Sequence, residues 1–142
     1  MFKLKKIMNK SNNSCEIEFY PSSDSVTVDY GQVLRLCNGM LTTPSMAEME
    51  NCPKYYTLGT AVADDVETKI PCVRITDDMI FEVSAMTEGM TDGTPVALYA
   101  ESDYDGALHV GQVDDGTIGD GVVTDGGSYS TKGTVYVRLY SN

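Results

Sequence analysis

Tryptophan is absent from this chain, and histidine occurs once, at His109. A triad built on histidine would have to use that residue, and the surrounding ALHVGQV offers neither a nucleophile motif nor an orienting acid. The serines lack the G-x-S-x-G elbow and the glycines lack the G-x-x-x-x-G-K-[ST] phosphate cradle. No H-E-x-x-H metal helix is present either. The expectation is a protein without enzymatic activity and without a cofactor.

Other absences narrow the class further. The four cysteines, Cys15, Cys37, Cys52 and Cys72, stand far apart with no C-x-x-C pair among them, which excludes a zinc site of ordinary spacing. Each lies in or beside an apolar run and reads as a small buried hydrophobe, with bridging left open by the spacing. No apolar run is long enough to span a bilayer. The opening MFKLKKIMNKSNNS lacks the apolar stretch of a secretory signal, so the expectation is a protein made in the cytoplasm.

Basic residues are also scarce. Ten stand against 21 acidic ones, for a net charge of −11, and four of the ten (Lys3, Lys5, Lys6, Lys10) fall in the first ten positions. The rest of the chain has six basic residues against 21 acidic, a balance of −15. Such a body repels phosphate backbones and anionic membranes, so neither nucleic acid nor membrane is expected as a partner.

What is present is the vocabulary of strands and tight turns. There are 13 glycines and 9 tyrosines among many valines and threonines, and 142 residues suit a single domain with its own core. Period-two alternation marks strands over residues 15–20, 25–30, 32–37, 40–42, 55–63, 70–76, 79–84, 95–100, 107–113, 121–124 and 134–140. Asn38-Gly39 joins two of them as a type I′ hairpin, a turn that needs positive φ at both positions. Thr43-Pro44 followed by SMAEMEN carries a cap, a first-turn proline and early acids, which predicts a short helix ending before Pro53. The expected fold is therefore all-β, a small barrel or β-tulip over residues 15–142 with one short helix. Residues 1–14 form a separate, extended N-terminal arm, disordered unless something holds it.

Three features are candidate sites. In the arm, Phe2, Lys3, Leu4, Lys5, Lys6 and Ile7 interleave apolar and cationic side chains that suit an acidic partner surface or an added strand. Glu101, Asp103 and Asp105 alternate before Gly106 as in a calcium loop, but Gln112 stands where the bidentate carboxylate would be needed, so the stretch reads as a hairpin turn. The tyrosines (Tyr20, Tyr30, Tyr55, Tyr56, Tyr99, Tyr104, Tyr129, Tyr136 and Tyr140) supply the alternative of a carbohydrate- or host-surface-binding module on a fibre or cell surface.

The succession VDYGQVLRLCNGML, YYTLGTAVADD, DDMIFEVSA, TDGTPVALYAESDYDGALHV and GTVYVRLYSN resembles the small head-decoration, or capsid-stabilising, proteins of tailed bacteriophages over residues 25–142. The likeness lies in the early hairpin around Tyr30 to Leu41, the glycine-then-strand unit at Gly93 to Tyr99, and the closing strand from Gly133 to Leu139. The resemblance implies a part of the virion that covers the outside of the capsid, with the major capsid protein as partner. It also implies a homo-oligomer, a trimer at three-fold positions, and an N-terminal arm as the grip on the shell. The helix over 43–53, the cysteines and the lysine-rich arm depart from the pattern. On this reading, removing residues 1–12 leaves a folded domain that no longer joins shells.

Overall fold

Alternating side chains make strands throughout the computed structural model, which describes residues 1–7, 16–23, 26–44, 52–62, 67–102, 105–113, 118–124 and 133–141. The strands are β1 (Lys3–Ile7), β2 (Ile17–Pro21), β3 (Val33–Cys37), β4 (Met40–Thr42), β5 (Lys54–Thr57) and β6 (Lys69–Arg74). There follow β7 (Met79–Ala85), β8 (Pro95–Tyr99), β9 (His109–Gln112), β10 (Gly121–Val123) and β11 (Thr134–Leu139). The chain is all-β, as its composition implies, and no helix occurs among the described residues. The segment expected to be helical lies largely outside them, at 45–51.

Five of the strands close on themselves. Their order is β7-β11-β10-β8-β9, and β9 returns to β7 through a parallel pairing of Ser84 with His109 and Ala85 with Val110. Closure removes the exposed edges that an open sheet of this length would present. The other sheet runs β2-β6-β5-β3-β4. Its β3–β4 hairpin turns at Asn38 and Gly39 with φ of 52° and 78°. Those are the paired positive values that the Asn-Gly dipeptide implies.

Pairing partners fix which side chains share a face. Val33, Tyr56, Val73 and Ile75 turn one face of the open sheet into the core formed by Phe81, Val83, Val96, Val110, Val135, Val137 and Leu139 of the barrel. The opposite face carries Leu34, Leu41, Tyr55, Ile70 and Cys72, covered by Val26, Val28 and Ala61. Residues 26–28, part of the strand expected over 25–30, make only isolated bridges, Thr27 with Asp105 and Val28 with Ala61. Their valines are nevertheless fully buried, because they act as a lid on that second core.

The largest departure from expectation is at the N-terminus. Residues 3–7 are no free arm but strand β1, antiparallel to β7, with a bulge between Leu4 and Lys6. Phe2 is completely buried, its ring edge-on to Phe81 at 6.0 Å. Lys3 and Lys5, which give the segment its solvated character, are on the outer side of this strand, and Lys5 pairs with Glu82 of β7 at 3.4 Å. Gly31 makes room for the entry: its φ is +78°, and a Cβ there would lie 2.7 Å from Met1 Cγ. The Gly31 carbonyl accepts the Phe2 N–H at 2.8 Å.

Cysteines are also divided by the fold. Cys72 is a buried free thiol, in line with its reading as a small hydrophobe. Cys37, at the end of β3, is bonded to Cys52, just ahead of β5, with Cα atoms 5.4 Å apart. Cys15 lies outside the described residues. The crosslink staples the two ends of a 15-residue separation beside the sheet's hairpin.

Two outcomes follow. Phe2→Ala is expected to lower the unfolding free energy in urea by roughly 3 to 5 kcal/mol, the cost of emptying a buried aromatic site, whereas a free arm would give no change. Reduction of the Cys37–Cys52 bond, or its replacement by serines, is expected to cost about 3 kcal/mol for a loop of this length, read from the same titration with and without reductant.

Candidate functional site

The two sheets meet at a group of charges, two buried cations and one partly exposed carboxylate. Arg35 in β3 and Lys54 in β5 are cross-strand partners, so both side chains leave the same face of the open sheet, toward the barrel. Neither is a residue type found inside without compensation. Lys54 is wholly buried and Arg35 almost so.

Compensation comes from the barrel. Asp120, one residue ahead of β10, receives Arg35 Nη2 at 3.1 Å on Oδ1, and Lys54 Nζ stands 3.8 Å from the same oxygen. Its Oδ2 accepts the Leu98 N–H at 2.9 Å. Lys54 Nζ also donates to the Tyr140 carbonyl at 2.8 Å, and Arg35 Nη1 to the Cys52 carbonyl at 2.7 Å. The Asp120 backbone is fixed in turn, its N–H on Val96 O and its carbonyl on Tyr140 N–H. Burial, followed by the neighbouring Arg35 charge, lowers the Lys54 pKa to about 8, against the pull of Asp120 and Asp77 in the other direction.

A lysine with a depressed pKa is a feature of amine catalysis when substrate can reach it. Here the amine is sealed and its donors are committed, so the arrangement acts as a clamp between the two sheets. The aromatic side of the junction behaves similarly. Burial pushes the Tyr56 phenol up to about 12, and its hydroxyl donates to the Phe2 carbonyl at 3.2 Å, tying β5 to the N-terminal strand. Glu18 in β2 takes hydroxyls from Tyr20 at 2.7 Å and Tyr55 at 3.0 Å.

The residues singled out from the sequence are dispersed. Phe2 belongs to the core, Leu4 packs against it, and Lys3 and Lys5 are exposed on β1; Lys6 and Ile7 continue that strand. Phe2 is therefore withdrawn from partner contact. Glu101 lies 3.7 Å from His109 Nε2, while Asp105 accepts the Ser102 hydroxyl at 3.0 Å, so these two carboxylates serve different neighbours. Asp103 is outside the described residues, and among the described residues no three His, Cys, Asp or Glu side chains are grouped to hold a metal. Of the tyrosines, Tyr56 is buried between the sheets and Tyr55 in the second core, whereas Tyr30, Tyr99 and Tyr140 are exposed; Tyr104 and Tyr129 fall outside the described residues. A shallow depression beside Met1, Lys3, Glu82 and Thr134 has a volume of about 250 Å³. That is smaller than the usual small-molecule site.

One surface feature was not anticipated. β2 is the margin of the open sheet, and its Ile17 and Phe19 are 56% and 57% exposed although they share a face with buried Val73. Alternation in the sequence correctly puts both on one face, but only packing reveals that the barrel ends short of them. No family model, curated protein or solved structure matches this chain.

The buried amine has a pH signature. Its folded pKa of about 8 lies below the 10.5 of a free lysine, so the folded state sheds a proton that the unfolded state keeps. The cost of the buried charge is thus fully present below pH 8 and relieved as pH rises toward 10.5. Stability is expected to climb by about 1 kcal/mol between pH 7 and 9 relative to Lys54→Met, in which that slope disappears. The comparison cancels the opposite contribution of Cys72, whose thiol burial pushes up to about 12.

Proposed function

We propose that this protein is a non-enzymatic accessory protein of a tailed-bacteriophage capsid, a β-tulip-like body that binds the outside of the assembled head and stabilises or decorates it. The observation that carries the reading is a rigid two-sheet body, closed on the barrel side and clamped by Arg35, Lys54 and Asp120, that leaves one apolar sheet margin uncovered at Ile17 and Phe19. A body of that kind suits a part used in many copies, in which each copy contributes a small contact and the sum is large. The Cys37–Cys52 bond suits a protein that ends on the surface of a released particle, where thiols oxidise, after synthesis in the host cytoplasm.

The partner on this reading is the major capsid protein, with the chain assembled as a trimer on the shell. Its charge of −11 keeps it off nucleic acid and anionic membranes. The grip moves, however, from the N-terminal residues to the exposed margin, since Phe2 is used internally.

Mass spectrometry of purified particles from cells expressing the chain is expected to find it at hundreds of copies per head. Purified protein is expected to co-sediment with shells that lack it. A chain absent from particles and left in the supernatant overturns the proposal.

A further inference from the structure

We infer that the outer edge of β2 is a strand-addition site for an extended segment that alternates apolar and basic residues. Resting on the capsid reading above, it names the kind of shell segment that would be bound.

The Pro71 carbonyl accepts the Leu58 N–H at 2.8 Å, so Pro71 turns its backbone toward the β5 side of β6. Its neighbours Ile70 and Cys72 therefore turn theirs toward β2, where they face Tyr20 and Glu18. It follows that Ile17 and Phe19, the alternate residues of β2, point their N–H and C=O groups away from the sheet. No strand pairs with that edge among the described residues. The far margin of the curled sheet, β4, reaches the C-terminal end of β2, where Ser22 bridges Leu41 and the Ser23 N–H donates to the Leu41 carbonyl at 2.9 Å; the proposed site is the stretch ahead of it, at Ile17 and Phe19. At Ile17 and Phe19 the edge carries neither charge nor proline: both side chains are more than half exposed and lie ahead of Pro21.

Charge then selects the occupant. A strand laid against β2 would put alternate side chains opposite Ile17 and Phe19 on one face and opposite Glu16 and Glu18 on the other. Apolar residues fit the first pair; lysine or arginine fits the exposed Glu16 on the second face, where the half-buried Glu18 carboxylate already accepts the Tyr20 and Tyr55 hydroxyls. A second copy of this chain fits poorly, because two-fold antiparallel pairing through Ile17 and Phe19 sets Glu18 opposite its own equivalent, between two bodies of charge −11.

The test titrates full-length protein with a short synthetic peptide alternating lysine and isoleucine, following backbone amide shifts and calorimetric affinity. The amides of Ile17 and Phe19 are expected to move, and a glutamate–isoleucine peptide to bind at least about tenfold more weakly. N-methylation of alternate peptide residues is expected to abolish binding. Phe19→Lys, at an exposed position that leaves the fold intact, is expected to weaken it by a similar factor. Equal affinity for the acidic peptide, shifts elsewhere on the protein, undiminished binding of the methylated peptide or an unaffected Phe19→Lys variant each overturns the inference, as does dimerisation through β2 in sedimentation.

Shell co-sedimentation separates the two proposals. Wild type that sediments alongside an equally competent Phe19→Lys variant refutes the strand site and leaves the capsid reading standing. Wild type that stays in the supernatant refutes the capsid reading, and the peptide titration alone then decides the strand site.

Discussion

The contact between Arg35 and Lys54 on one sheet and Asp120 on the other is the constraint on which the rest of the body depends. Two cations are removed from water against a carboxylate that keeps partial access to it, and this is tolerable only because carbonyls of Cys52 and Tyr140 and the N–H of Leu98 complete their hydrogen bonds. Any sliding of the open sheet over the barrel would leave a buried charge without its partner. Apolar packing of Val33, Tyr56 and Val73 against the barrel supplies the larger area, but it is non-directional and would permit several placements. The ionic contact selects one.

Around that junction the other ties are consistent in direction. The Cys37–Cys52 bond holds the chain that presents the Cys52 carbonyl to Arg35, so a covalent link and a charge-assisted hydrogen bond restrain the same stretch of backbone. Strand β1 extends the barrel along β7 while Tyr56 of the open sheet grips the Phe2 carbonyl. Rigidity of this order confines adaptable contact to the periphery, and the margin at β2 is where apolar surface and unpaired backbone coincide.

The strand pattern was largely legible, because a half-buried strand writes its two faces into the sequence as alternation. Ten of the stretches marked by alternation overlap the strands β2 to β11, although the one over 55–63 runs well past β5, which ends at Thr57. The N-terminal strand was not legible, since K-L-K-K-I has the same alternation as a solvated basic arm and only the void beside Phe81 distinguishes the two. Likewise, nothing in VLRLC or PKYYT shows that Arg35 and Lys54 point inward; a lone cation in a strand is ordinarily on the wet face. The disulfide was undetermined for a similar reason. Four cysteines allow several pairings until the fold brings the Cα atoms of Cys37 and Cys52 within bridging distance.

By itself, the sequence determined the all-β class, the Asn38-Gly39 turn and the acidic body, because these depend on local backbone preference, side-chain period and charge count. It also put Ile17 and Phe19 on a common face. Tertiary structure alone decided that the first strand pairs with β7 of the barrel, that two cations are buried against Asp120, and that the face bearing Ile17 and Phe19 runs past the end of its cover. Those outcomes depend on which surfaces are close in space, and the physical cost of burying or exposing a side chain is set by neighbours that lie far away along the chain.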